Sequence, residues 1–217
     1  MKKLEYLDNN VKIYQDDELY TFTSDSIKLS RFATVKKGDV VADFCAGSGV
    51  VGFNLYAVNP DKISSVTFFE LQEGLADLCR ESIELNGLND RFSVVMGKIQ
   101  ELDKSFYGKF SLIVCNPPYV KDGAGEKNKN QTERTETTIS LKDLFFAVSR
   151  ALKYGGRVNI VHRADRLADI ICTMREFDIE PKTLAPLSAK GKKPYCILLE
   201  GVKGGKSGLS ILNTIYN

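Results

Sequence analysis

The sequence predicts an α/β fold built on a doubly wound, mostly parallel sheet. Three observations carry this. From residue 39 onward, short apolar runs alternate with segments of helical period. A glycine-rich turn directly follows the first run. The longest polar stretch, Lys121–Thr138, follows the fourth. Strands of such sheets are buried on both faces, so they read as continuous apolar runs. Ligands bind beyond the carboxyl ends of the strands, where functional residues are expected.

The elements follow in chain order. Val11–Gln15 and Tyr20–Thr23 flank Asp16-Asp17-Glu18 and predict a hairpin. Ser24, Asp25 and Ser26 offer N-cap oxygens to a short helix whose apolar side carries Ile27, Leu29 and Phe32. Residues 1–38 are thus expected to be a hairpin-and-helix extension, and residues 39–217 the main domain. After the turn Lys36–Asp39, strands are expected at Val40–Phe44, Val66–Phe69, Phe92–Met96, Phe110–Cys115 and Arg157–His162. Helices are expected from Gly49, over Leu71–Ile83 with Asn86-Gly87 as its left-handed cap, over Leu141–Leu152 and over Leu167–Phe177. Two late β runs, Lys182–Ala185 and Tyr195–Gly201, are expected to pair antiparallel through the turn at Gly191–Pro194. The Lys121–Thr138 stretch exceeds an ordinary connector and reads as a substrate-facing loop.

Composition narrows the function classes. The 217 residues suit one medium domain, and 43% hydrophobic with 27% charged residues is an ordinary globular balance. No apolar run approaches the ~18 residues that span a bilayer, and the N-terminus has no signal-peptide core. The five cysteines are odd in number and lack C-x-x-C spacing, so neither a metal site nor a disulfide framework is expected. A cytoplasmic protein with reduced thiols fits this pattern. Net charge is only +2, yet six lysines (182, 190, 192, 193, 203, 206) face one acid between Pro181 and Gly208. That asymmetry fits either a polyanionic partner or a solvated lysine face.

Asp43-Phe44-Cys45-Ala46-Gly47-Ser48-Gly49-Val50-Val51-Gly52 satisfies G-x-G-x-x-G at Gly47, Gly49 and Gly52. Such glycines let the backbone turn tightly and approach a cofactor. Glu70 ends the second strand, where a carboxylate can accept from ribose hydroxyls. Loop and acid together fit a dinucleotide, S-adenosylmethionine, or a plain strand-to-helix turn. Asp43 favours S-adenosylmethionine, because a carboxylate there repels a pyrophosphate and suits the ammonium and sulfonium charges.

Asn116-Pro117-Pro118-Tyr119 directly follows the fourth strand. An exocyclic amine on adenine is a poor nucleophile, because its lone pair is delocalised into the ring. Two acceptors aimed at its N–H bonds favour charge development there. The Asn116 side-chain oxygen and the Pro117 carbonyl can supply them. The two prolines stiffen the turn in advance, and Tyr119 offers a ring for base stacking, worth about 1–3 kcal/mol. Alone, the tetrad reads equally well as a rigid Pro-Pro turn. After the glycine loop and Glu70, it reads as an amine-methylating site.

On these residues the chain resembles class I methyltransferases of the N6-adenine type. More narrowly it resembles the bacterial tRNA1(Val) adenine-37 N6-methyltransferase family. The narrower likeness rests on Asp8 to Phe32, Asp43–Gly52, Asn116–Tyr119, Glu133–Glu136, Val161–Leu167 and Leu198–Gly205. The resemblance implies a Rossmann-like, seven-stranded sheet with an antiparallel last strand. It implies cofactor contacts at Asp43, Ala46, Gly47, Gly49, Glu70, Leu71 and Asn116, with Phe22 and Thr23 at the methionine end. It implies target-amine roles for Asn116, Pro117, Pro118 and Tyr119, and an RNA substrate, a tRNA; the sequence does not fix the oligomeric state, with a monomer favoured. One departure stands out: many relatives carry Asp after the third strand to hold the cofactor adenine, where this chain has Gly97-Lys98-Ile99. The family also often continues past the final strand, while this chain stops at Ile215-Tyr216-Asn217.

Other residues carry less. His162, the only histidine, is expected to be structural, since amine methylation needs only late proton loss to water. Cys45 and Cys115 read as small buried fillers. Arg134 fits a phosphate contact or a solvated charge equally. Three rival functions remain: a release-factor glutamine N5-methyltransferase, an NAD-dependent oxidoreductase, and a non-catalytic nucleic-acid-binding module. About 38 residues precede the first main strand, fewer than the helical domain of the first rival requires, and the tetrad opposes the other two.

Overall fold

The computed structural model describes residues 1–19, 22–118 and 139–216. Lys2–Tyr6 (β1) pairs antiparallel with Lys12–Asp16 (β2), and Ser24–Phe32 (α1) follows. Next come Asp39–Phe44 (β3), Val50–Val58 (α2), Ile63–Glu70 (β4), Glu73–Leu85 (α3), Phe92–Met96 (β5) and Phe110–Cys115 (β6). Leu141–Ala151 (α4), Leu152–Arg163 (β7), Leu167–Glu176 (α5), Ile179–Ser188 (β8) and Cys196–Lys203 (β9) lead to two short strands, Ser210–Ile211 (β10) and Ile215–Tyr216 (β11).

The main sheet runs β10-β8-β9-β7-β6-β3-β4-β5, with β11 also paired to β8. All seven expected strands are present, and β9 is antiparallel to both neighbours. The two short strands add to the β8 edge. One face is covered by α1, α2 and α3 around Leu29, Val50, Phe53, Cys79 and Ile83. The other carries α4 and α5 around Phe145, Val148, Ile170 and Met174. With helices over both faces, β6 is buried along its whole length, which is why it reads as a run that is apolar but for Ser111. Ile13 of the hairpin and Leu29 of α1 join the same core as Val41, Phe53 and Phe68.

The structure corrects the N-terminal hairpin. The expected run Val11–Gln15 is one arm, as β2, but its partner is β1 rather than Tyr20–Thr23. Phe22 and Thr23 lie outside any strand, and Tyr20 and Thr21 lie outside the described residues. All five β1 residues are exposed, so that arm lacks the apolar alternation that marks a strand. The turn signal was Asn9 and Asn10, whose φ angles of 51° and 59° suit asparagine's tolerance of left-handed backbone.

Beneath the carboxyl-end cleft, the amino ends of the central strands are tied by charge. Arg157 Nη2 of β7 donates to both Asp39 oxygens of β3 at 2.7 Å. Ser111 Oγ of β6 adds a bond to Asp39 at 2.7 Å. Removing one partner of such a buried pair costs about 3–5 kcal/mol.

Candidate active site

The loop Cys45–Gly49 joins β3 to α2 at the carboxyl edge of the sheet. Gly49 caps α2 at φ 85°, and a Cβ there would lie 2.8 Å from Cys79 Sγ. Gly52 is demanded by packing instead: its Cβ would lie 2.5 Å from the Phe68 ring. A side chain at Gly52 would press on the sheet and one at Gly49 on Cys79 of α3, so the glycine pattern is set by close approach as well as by turning.

Glu70 ends the neighbouring strand β4 and is 6% exposed. Its Oε2 accepts from the Gly47 amide at 2.7 Å, and its Oε1 accepts from the Leu71 and Gln72 amides at 2.9 Å each. Three of about four acceptor positions are thus filled by backbone, leaving one on Oε2. Leu71 follows directly on the rim and is exposed. Past β5, Lys98 turns to Glu101 at 3.9 Å.

Asp43 is fully buried beneath the loop, where its Oδ2 accepts from the Gly52 amide at 2.8 Å. Burial pushes its carboxyl well above the usual range, and the nearby Glu70 charge adds to this. Its Oδ1 has no hydrogen-bond partner. Asp43 therefore lies beneath the loop, tied to it through the Gly52 amide. From the hairpin, Gln15 reaches the loop and donates through Nε2 to Ser48 Oγ, while its buried Oε1 also lacks a partner. Sequence reading missed Gln15, whose only signal was a polar residue inside a short β run.

Asn116 follows β6 and lines a narrow cleft with Phe22, Ser26, Ala46, Gly47 and Ser48. Its Nδ2 donates to Ser26 Oγ of α1 at 2.9 Å. Pro117 is buried and Pro118 exposed. Tyr119, the expected loop Lys121–Thr138 and Arg134 lie outside the described residues. The cleft thus gathers Ala46, Gly47 and Asn116, with Glu70 bonded to the loop from the next strand. The glycine loop and a strand-end acid with a spare acceptor position suit a ribose-bearing cofactor. Among the described residues no cluster of metal ligands occurs, and no helix is long and apolar enough to cross a membrane.

Ser24, Asp25 and Ser26 were expected as N-cap donors of oxygen. The cap is Thr23, with no side-chain cap bond. Asp25 instead accepts from Tyr195 Oη at 2.8 Å, and Ser26 serves Asn116. The lysine cluster also needs correction, because β8 and β9 carry it to opposite ends of the sheet. Lys190, Lys192 and Lys193 are exposed in the β8–β9 turn, on the rim where Cys196 pairs with Arg163. Lys203 pairs with Ile179 at the far end and donates to the Leu152 carbonyl at 3.0 Å. Lys182 donates to the Lys206 carbonyl at 3.0 Å. A wider hollow of about 670 Å³, lined by Asp8, Arg31, Val58 and Lys62 among others, sits at the amino ends of β3 and β4, away from this chemistry.

His162 is 7% exposed at the carboxyl end of β7. Burial, aided by the Arg166 charge, pushes its pKa down to about 4. Between pH 6.5 and 4 the unfolded chain therefore binds a proton that the folded chain refuses, so stability falls as pH falls. His162→Gln is expected to flatten that loss by on the order of 2 kcal/mol. Urea denaturation at pH 7.5 and 4.5 checks this, and equal pH slopes for the two proteins would contradict it.

The fold and site define a class I methyltransferase architecture. The sequence profile of the methyltransferase small domain matches residues 25–173, and the chain belongs to that family. The fold, the loop and the family agree on S-adenosylmethionine as methyl donor. Among curated relatives, the tRNA1(Val) (adenine(37)-N6)-methyltransferase of Shewanella sp. (strain W3-18-1) is 27% identical over 142 residues, covering 64% of this chain and 58% of that protein. The protein of the same name from Shewanella sediminis is 22% identical over 176 residues, covering 79% and 71%. The chain thus spans little more than half the length of the first of these. Among solved structures, a predicted O-methyltransferase from Agrobacterium tumefaciens has TM-score 0.69 at 19% identity, covering 88% of this chain and 86% of that one. P. horikoshii TYW2 in complex with MeSAdo has TM-score 0.65 at 14% identity, covering 94% and 72%.

Proposed function

We propose that this protein transfers a methyl group from S-adenosylmethionine to the exocyclic N6 of an adenine in RNA, with a tRNA anticodon-loop adenine as target. One observation carries the proposal: Asn116 stands at the end of β6 in one cleft with Ala46, Gly47 and Ser48 of the glycine loop. The acceptor for a target amine and the cradle for a cofactor are therefore neighbours. The names of the curated relatives support adenine in tRNA as the substrate.

When bound, S-adenosylmethionine supplies a methyl group on a sulfonium that is already a good leaving group. Asn116 Oδ1 and the Pro117 carbonyl accept the two N–H bonds of the amine and fix it before reaction. These acceptors would stabilise the positive charge that methylation places on the amine nitrogen. The extra proton then passes to water. Glu70 fixes Gly47 and offers its remaining lone pair to the ribose, and Tyr119 supplies a stacking face for the base.

The rim lysines supply the RNA contact. A folded RNA presenting one unstacked base would lay its backbone along the β8–β9 turn. Lys192→Glu combined with Lys193→Glu is expected to raise KM for tRNA several-fold and to reduce its salt sensitivity, since fewer counterions are released. Cofactor affinity should stay near wild type. Steady-state kinetics at two salt concentrations, with tRNA, free adenosine and a release-factor peptide as alternative substrates, test the proposal. Full activity on adenosine or the peptide, indifferent to these lysines, would overturn it.

A further inference from the structure

The Asn116 side chain ends in two chemically opposite groups, an oxygen that accepts and a nitrogen that donates. Only the oxygen can hold a target amine. With the amide turned over, its NH2 would meet the N–H bonds of the substrate, donor against donor. With the oxygen turned to the target amine, the partner of the nitrogen fixes the plane of the amide and the aim of that oxygen.

That partner is Ser26. Its Oγ accepts from Asn116 Nδ2 at 2.9 Å, and Ser26 is 1% exposed, so water is excluded from replacing it. Among the described residues, Asn116 Oδ1 makes no hydrogen bond, and Asn116 is half-buried in the cleft. Ser26 is itself held firmly. Leu29, one turn along α1, is fully buried. Ser30 Oγ accepts from Asn54 Nδ2 of α2 at 2.8 Å. Beside Ser26, Asp25 accepts from Tyr195 Oη at 2.8 Å, with Lys28 3.8 Å from the same carboxylate. The N-terminal turn of α1 is thus anchored to α2 and to the residue preceding β9.

We propose that Ser26 is a positioning residue for methyl transfer: it holds the Asn116 nitrogen so that the oxygen faces the target amine. This rests on the amine-methylation reading above. The N-terminal helix thereby takes part in the chemistry of a strand end 90 residues away in sequence.

The test has two arms. In the first, the side-chain amide protons of Asn116 are followed by nitrogen-resolved NMR in the ligand-free protein and assigned by their loss in Asn116→Ala. They should exchange slowly with water in the wild type and at least several-fold faster in Ser26→Ala. In the second, kcat and KM on tRNA are measured for Ser26→Ala, Asn116→Ala and the double variant. Ser26→Ala should lower kcat about tenfold with little change in KM for S-adenosylmethionine. In the Asn116→Ala background it should cost nothing more, because Ser26 acts only through Asn116. Should Ser26→Ala fold poorly, Ser26→Cys has nearly the same volume but a weak acceptor, and the same losses are expected of it. Unchanged exchange of the Asn116 amide, or a further tenfold fall in the Asn116→Ala background, overturns the inference. A protected, Ser26-dependent amide in a protein that methylates no RNA would instead overturn the substrate assignment and leave Ser26's positioning of Asn116 standing.

Discussion

Asn116→Ala is expected to lower kcat for methyl transfer by about a hundredfold or more while leaving the fold and cofactor affinity intact. A donor or acceptor aimed at developing charge is worth on the order of a hundredfold or more when removed. The acceptor matters more in the transition state than in the ground state, so the loss falls on kcat rather than KM. The fold should tolerate the change, because Asn116 is only half-buried and its one side-chain hydrogen bond among the described residues goes to Ser26. Single-turnover kinetics with saturating S-adenosylmethionine, alongside thermal denaturation, provide the check. A wild-type rate would reduce the tetrad to a turn.

Glu70→Ala is expected to cost both stability and cofactor. Its carboxylate accepts from the amides of Gly47, Leu71 and Gln72. Leu71 and Gln72 are exposed and can be rehydrated, but Gly47 is buried and cannot. An unsatisfied buried donor costs about 1–3 kcal/mol, and that range is the expected loss of stability. The glycine loop loses its tie to β4 and the ribose loses its charged acceptor, so affinity for S-adenosylhomocysteine should fall about tenfold or more. Calorimetry decides this. A variant that binds S-adenosylhomocysteine as tightly as wild type would remove Glu70 from the site, and binding of NADH in its place would replace the cofactor.

Much of this was legible in the sequence, for identifiable physical reasons. Strand β6 falls on the expected residues because burial along its whole length leaves a run that is apolar but for Ser111, and β5, at the sheet edge, falls on them through its β-favouring Phe92, Val94 and Val95. The β3–α2 turn was legible because close packing against Phe68 and Cys79 admits only glycine at positions 52 and 49. What stayed hidden has one cause: partners far apart in the chain. Gln15 meets Ser48 and Ser26 meets Asn116 across the fold, and no local period encodes either pairing. Ser24, Asp25 and Ser26 carried a genuine local signal for a helix start, and the helix does start there. Their side chains were read as caps because capping is what such oxygens do when nothing else competes. The lysines failed for a topological reason. A sequence cluster spanning an antiparallel pair is divided between the two ends of the sheet.

The central claim is that the amine methylated here is adenine N6 in RNA. The most direct measurement incubates the protein with methyl-labelled S-adenosylmethionine and unmodified tRNA, then digests the RNA and identifies the labelled nucleoside. The account predicts N6-methyladenosine at a single anticodon-loop position, lost in Asn116→Ala. Label on another nucleoside, or unlabelled RNA beside a methylated glutamine in a release-factor peptide, would contradict it.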